Sequence, residues 1–506
     1  MSLSLSLEEV RTLAGQHRVV PLIKTLFSAT ETPLSVFEKL ARSKPGSFLL
    51  ESADQGVWSR YSFVGVNARG TLVKNKDQRP EWRSEFSAFP NSDHPALSET
   101  GLEAVEQLTK AWTSKPMAGL PPLTSGLVGM LGWEIIREIE NLPPSKADDY
   151  KSPDICLIMF SDLVIIDHHR GELLLVSNIF VTDEVEISEA YADATKRISS
   201  MQTELLKDSK PFLAELNLDV EISPTHRTTK PEFFAAIETA KEHVKVGDVF
   251  QVVISQRFDQ KLEASALDVY RVLRTLNPSP YMYLLNLQDD SGDFAVVGSS
   301  PEALVTVADG HAVMHPIAGS RPRGKNTDED IANAEDLAAD AKEQAEHLML
   351  VDLARNDLLK VCDSQSVAVT EFMQIHRFSH IMHLVSTVEG ELLPKHSVVD
   401  VFKATFPAGT LSGAPKPRAL QIIEELEPSS RGLFGGVVGY FDFAGNADLA
   451  IAIRTALVRD GVAHVQAGAG LVLDSVAESE YQETITKARA TLKAVVAANE
   501  MVKLHD

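Results

Sequence analysis

The chain has 506 residues, 44% hydrophobic and 24% charged, a composition that suits a globular protein with room for two domains or one interwoven core. Acidic residues outnumber basic ones, 71 against 48, for a formal charge of -23; this argues against a nucleic-acid or anionic-membrane surface but still allows a local basic patch around a small anion. Two distant cysteines, Cys156 and Cys362, argue against a disulfide framework or zinc site, and without a basic-flanked leader or an apolar run of about 20 residues the sequence reads as cytoplasmic.

In chain order, PLSVFEKLARS reads as a helix, and GSFLLES and WSRYSFVGV read as strands joined by a turn at Asp54 to Gly56. Residues 74 to 95 are charged, contain proline and lack periodicity, as in a surface excursion. GLEAVEQLTKAW follows as a helix, and SGLVGMLGWEII as a glycine-punctuated buried segment. Ile155 to Val181 reads as two strands around a turn at His168 to Gly171. The adjacent histidines 168 and 169 point to opposite faces of a strand, which weighs against a shared metal. A helix from about Ser188 to Leu206 leads into a polar stretch with prolines at 211, 224 and 231, the best boundary in the chain, separating 1–221 from 222–506. EFFAAIETAKEHVKVGD is then a helix ending at Gly247, and VFQVVISQRFDQ is a strand. Hairpin-length turns and an irregular alternation of strands and helices indicate an α+β fold with large antiparallel sheets.

The chemistry concentrates after the boundary. Arg321, Arg323 and Lys325 form a basic loop that either receives an anion or is a solvated turn. In EQAEHLMLVDLARNDLLKV apolar residues cover most of a helix, and Glu346 shares a face with Leu350 and Leu353, so it needs a basic partner, a shared proton or a cation. Asp352, Arg355, Asn356 and Asp357 read as an internal salt-bridge group. His380 and His383 stand three apart, close enough on a helix to be neighbours, with a structural histidine favoured for either alone. GTLSGAPK lacks the spacing of a nucleotide-binding phosphate loop. Arg454 interrupts the apolar run IAIRTAL and calls for an anion. Gly468 and Gly470 end a strand with exposed amides, and Ser475 with Glu478 reads as a capping box opening the last helix. On that helix Tyr481, Ile485, Ala488, Leu492 and Val495 form the apolar stripe. Glu483 points away from it, which favours solvated surface. Glutamates near glycine loops and arginine suit a small carboxylate ligand with a hard cation such as Mg²⁺.

In order, the stretches PIAGSRPRG, AEHLMLVDLARND, HIMHLVS, GTLSGAPK, GGVVGYF, IAIRTALV, VQAGAGLVLDS and YQETITKA resemble the chorismate-utilising enzymes, specifically the anthranilate synthase component I group; LLES and RYSF extend the resemblance into the first half. The resemblance implies an α/β sandwich with helices outside. It also implies a reaction in which ammonia adds to ring carbon 2 of chorismate, the carbon-4 hydroxyl leaves and pyruvate is eliminated to give anthranilate. By motif, Glu346 and Glu483 would hold Mg²⁺, with Glu480 acting through water. Gly468, Ala469 and Gly470 would meet the ring carboxylate, Arg454 the enolpyruvyl carboxylate, and Gly319 and Ser320 would line the pocket. Glu302 would be the general acid, and His383 and Thr410 would position the ring and assist proton movement. Related enzymes with other chemistries carry a lysine where this chain has Ala318 or Gln251, so ammonia as the external nucleophile is the consistent reading. That ammonia implies a partner, the glutamine amidotransferase subunit (component II), in an assembly of two large and two small subunits. Residues 1–221 would be a regulatory region interwoven with the catalytic 222–506, and Ser52 with Pro280, Tyr281 and Met282 would bind tryptophan as a feedback inhibitor. Phe434 stands where relatives often have tyrosine, and Ser320 where threonine is commoner.

Overall fold

The computed structural model describes residues 3–53, 60–91, 93, 96–208, 212–377 and 381–504. The expected turn at Asp54 to Gly56, Pro211 and His380 lie outside them. Among the described residues, 21 strands join in one hydrogen-bonded network.

The strand Ile155–Asp167 shows how the sequence builds the layers. It is apolar on both faces, so successive side chains go to opposite cores. Ile155, Leu157 and Met159 join a cluster with Trp112, Trp133 and Phe402 from the surrounding helices and turns. Cys156, Ile158 and Phe160 instead join a cluster made almost wholly of strand residues, including Phe48, Tyr283, Val296 and Leu457. A third cluster packs helices against the other outer face, with Phe37, Ile198, Tyr270 and Val495. The result is an α+β sandwich: sheet faces inside and helices outside, as the sequence indicates.

The two halves share this sheet. Ser47–Glu51 pairs antiparallel with Tyr281–Asp289, and Gly126–Leu131 with Val437–Asp442. Residues 216 to 224 form neither helix nor strand. Thr229 then caps the helix Lys230–Lys245 in a reciprocal pair with Glu232, with Pro231 in its first turn.

Two local expectations are corrected. The last helix runs Ala477–Glu500, and its N-cap, Val476, makes no side-chain cap. The Ser475 hydroxyl instead accepts from the Val472 N–H in the preceding turn, so the Ser475–Glu478 capping box does not form. His383 lies in a strand, Ile381–Glu391, rather than a helix. That segment is paired on one side with Ala368–Arg377 and on the other with Ile317–Pro322, and cross-strand pairing overrides any helical spacing.

Candidate active site

The strand Val462–Leu471 is paired along its whole length with Gln251–Lys261, but its other neighbour, Thr455–Arg459, reaches only to Val465. Beyond Val465 that edge is open, and it carries Gly468, Ala469 and Gly470. Arg454 sits just where the shorter strand begins, in the left-handed region with φ 49°, which turns the chain out of the sheet. Its carbonyl accepts from the Ser299 N–H. Burial lowers the guanidinium pKa, opposed by the charge of Glu302. Among the described residues Arg454 makes no side-chain hydrogen bond or ion pair within 4 Å, so a desolvated guanidinium keeps its donors for something else.

Glu302 follows the strand Gly292–Ser300, held by its carbonyl accepting from the Ile451 N–H at 2.9 Å. Burial raises its pKa to about 7, against the opposing pull of the Thr410 hydroxyl, Lys487 and Arg454. Thr410 donates to Glu302 Oε1 at 2.9 Å, which leaves Oε2 as the atom that carries the proton. A carboxylic acid poised near neutrality is matched to proton donation.

His383 Nδ1 lies 2.8 Å from the Gly319 carbonyl. A carbonyl only accepts, so Nδ1 carries the proton. Burial lowers the imidazole pKa, with Arg454 adding to the effect, and holds the ring neutral. Gly319 has φ +62°, and a Cβ there would lie 3.0 Å from Glu343 Oε2. Ser320 is exposed and Ala318 buried on the same short strand.

The carboxylates approach the glycine strand from two helices. Gln251 Nε2 donates to Glu346 Oε1 at 3.1 Å, and a Cβ on Gly470 would lie 2.5 Å from that same nitrogen. Gly470 therefore allows the close approach, and the group that meets Glu346 is a neutral amide rather than the basic side chain, shared proton or cation expected from the sequence. At the other end of the tripeptide Lys487 donates to the Gly468 carbonyl at 3.1 Å and pairs with Glu483 at 2.7 Å. Glu483 is exposed, as the helical wheel indicates, and Lys487 links it to the Gly468 carbonyl. Burial and then the neighbouring charge of Glu346 raise the pKa of Glu343; burial, and more weakly the charge of Glu483, raise that of Glu480. No group of three or more His, Cys, Asp or Glu among the described residues is close enough to hold a metal alone. Carboxylate oxygens are the donors a hard cation such as Mg²⁺ takes while keeping several waters, and Glu346 and Glu483 are the residues that would supply them. Lys487 is the residue that sequence reasoning missed; its i+4 spacing from Glu483 was the available signal.

Phe434 is buried, with Arg431 over its ring at 5.5 Å, and borders Ala452 and Thr455 on either side of the Arg454 turn. The two arginines of the basic loop form ion pairs: Arg321 with Asp336 and Asp340 at 2.6 and 2.8 Å, and Arg323 with Asp330 at 2.6 Å. Arg355 pairs with Asp352 at 3.3 Å, but Asp357 is held by Lys360 and Lys416, so the expected internal group splits.

A second cavity of about 520 Å³ is lined by Ser52, Pro280, Tyr281 and Met282 together. The pairing of Glu51 with Met282 brings these distant stretches side by side. Asp448 also lines it, with its pKa pushed up to about 6 by burial against a hydrogen bond from Tyr281. Ala303 and His315 line both this cavity and a recess behind Glu302.

Residues 45–493 match the model of the chorismate binding enzyme family. The chain is 50% identical over 510 residues to an anthranilate synthase component 1 of Arthrobacter globiformis, covering 99% of this chain and 94% of that one. It is 44% identical to the protein of that name from Aquifex aeolicus, covering 99% of both. The crystal structure of anthranilate synthase component I from Streptococcus pneumoniae TIGR4 superimposes with a TM-score of 0.73 at 31% identity, over 92% of this chain and 99% of that one. The menaquinone-specific isochorismate synthase of Escherichia coli shares the fold, with a TM-score of 0.68 at 18% identity over 97% of this chain and 98% of that one.

Proposed function

The chain belongs to the chorismate binding enzyme family, and we propose that it is the large component of an anthranilate synthase, converting chorismate and ammonia to anthranilate and pyruvate in tryptophan biosynthesis. The observation that carries this reading is a desolvated, uncommitted Arg454 within electrostatic reach of a carboxylic acid, Glu302, of pKa about 7. Arg454 would take the enolpyruvyl carboxylate, and the open edge at Gly468, Ala469 and Gly470 the ring carboxylate. Held by Glu346 and Glu483, Mg²⁺ would neutralise that carboxylate when bound. Glu302 Oε2 would protonate the departing carbon-4 hydroxyl while Thr410 steadies Oε1. His383, neutral and held by Gly319, would orient the ring and accept or relay a proton through Nε2. Gly319 and Ser320 would border the ring, and Phe434 would shape the wall behind Arg454. Gln251 is engaged by Glu346 and Ala318 has no nucleophile, so no side chain at either position activates water or attacks the ring, and ammonia supplies the nucleophile.

The cavity around Ser52, Pro280, Tyr281 and Met282 would bind tryptophan as a feedback inhibitor, the Asp448 carboxylate meeting its ammonium group. Ammonia would come from a glutamine amidotransferase subunit in an assembly of two large and two small subunits. No helix among the described residues is long and apolar enough to cross a membrane, and a cytoplasmic location suits the substrates. The test supplies purified chain with chorismate, Mg²⁺ and an ammonium salt at mildly alkaline pH and follows anthranilate fluorescence, with product analysis to detect an aminodeoxy intermediate. No product, with Mg²⁺ binding verified by calorimetry, would sink the reading.

A further inference from the structure

Behind Glu302 and Thr410, on the side of the helix Ala341–Leu358, lies a recess of about 40 Å³. One water molecule needs roughly 10 to 15 Å³ of such volume, so the recess takes at most about three or four waters and excludes a ring. Its walls are mostly apolar, Leu353 and Ala354 among them. The polar groups are few. Glu302 and Thr410 line it, with Asp357, committed to Lys360 and Lys416 at 2.9 and 2.7 Å, and Thr405, whose hydroxyl donates to the Val401 carbonyl at 2.9 Å. His315, held by Thr387 at 3.2 Å, lies in the wall shared with the larger cavity. A small molecule that both donates and accepts, and arises at Glu302, suits this set.

We propose that this recess receives the water molecule formed when the ring hydroxyl departs. The inference rests on the reading of Glu302 as the acid for that step. In the step the ammonia lone pair forms the C2–N bond, and the ring electrons shift so that the C4–O bond breaks with its pair on oxygen. The Glu302 proton passes to that oxygen to complete a neutral water, and the nitrogen sheds its surplus proton to solvent, from which Glu302 is reprotonated. Glu302 is then a carboxylate facing a new hydrogen-bond donor, and the recess lets that water move behind it, away from the carbon it could re-attack. Thr410 can pass from one acceptor to the other during the move.

The test begins with a crystal structure of the full chain at a resolution that shows waters. An ordered water bonded to both Glu302 and Thr410 in the recess is expected, and a dry recess would overturn the proposal. Ala354→Val and Ala408→Val each narrow the recess without touching the substrate groups. Either variant should lose that water and roughly tenfold in kcat with KM for chorismate unchanged, because hindered departure acts on chemistry rather than binding. A folded variant that excludes the water yet turns over at the wild-type rate would overturn the proposal. If neither variant folds, the wild-type structure decides alone. Wild type that forms no aminated product at all would instead sink the reading of Glu302 and this inference with it.

Discussion

Replacing Glu302 with Gln keeps the shape and the acceptor for Thr410 but removes the proton. Loss of a general acid costs typically 10² to 10⁴-fold in rate, so anthranilate formation should fall by about that factor with KM for chorismate little changed. Stability supplies a second readout with a defined sign. The Glu302 pKa is raised from 4.5 to about 7, so between these values the folded chain binds a proton that the unfolded chain has released. Unfolding free energy from this group therefore falls as pH rises through that window; the penalty is absent below about 4.5 and complete above about 7. At about 1.36 kcal/mol per pH unit the gap is worth roughly 3 kcal/mol. Glu302→Gln should thus be as stable as wild type near pH 4 and more stable by up to that amount near pH 8, measured by urea unfolding at both. A gain equal at the two pH values, or turnover within about tenfold of wild type, would refute the assignment of a desolvated acid.

Thr410→Val removes a hydrogen bond that favours the charged form of Glu302, so the alkaline limb of kcat/KM, which needs the protonated acid, should move up by about one pH unit. The profile is measured with free ammonia held constant, and an unmoved or lowered limb counts against the Thr410 role. Glu483→Gln should weaken Mg²⁺ binding in calorimetry by at least about tenfold and abolish turnover while circular dichroism stays unchanged; intact Mg²⁺ affinity would remove Glu483 from the metal site. Ser52→Arg fills the larger cavity with a long cation and should abolish tryptophan inhibition with uninhibited kcat retained. If the variant were inhibited like a sensitive wild type, the tryptophan site lies elsewhere.

Much of the site was legible one residue at a time, and its assembly was not. The apolar surroundings of Glu346 called for a basic partner, a shared proton or a cation, and of Arg454 for an anion; the structure sets the neutral amide of Gln251 against Glu346, and leaves Arg454 without a hydrogen-bonded anion among the described residues, with the charge of Glu302 acting on it from a distance. Antiparallel sheets and the interior character of Ile155 to Val181 were equally plain from alternation. Glu302 had no such signal, since its desolvation comes from residues far along the chain, and only the family motif singled it out. The capping box failed for a local reason: a serine hydroxyl serves whichever N–H is nearer, here that of Val472. The helical spacing of His380 and His383 failed because strands on both sides capture His383, a tertiary preference that no short window contains.

The groups that matter cluster where strands run out. Glu302 follows the end of one strand, Arg454 precedes the start of another, and Gly468 to Gly470 extend past the end of a neighbour. A strand end inside a sandwich leaves backbone amides unpaired and side chains walled by apolar layers, which raises the pKa of an acid and strips water from an arginine at once. The left-handed turn at Arg454 is the means by which this chain does both in one place. The chain leaves the sheet at Arg454 one residue before the shorter strand starts, while the longer strand runs on past its last pairing at Val465; in the proposed reading the guanidinium and the open edge would each take one carboxylate of the substrate. Electrostatics of this kind is set by the sheet before any substrate arrives, which is the preorganisation that a charge-separating elimination requires.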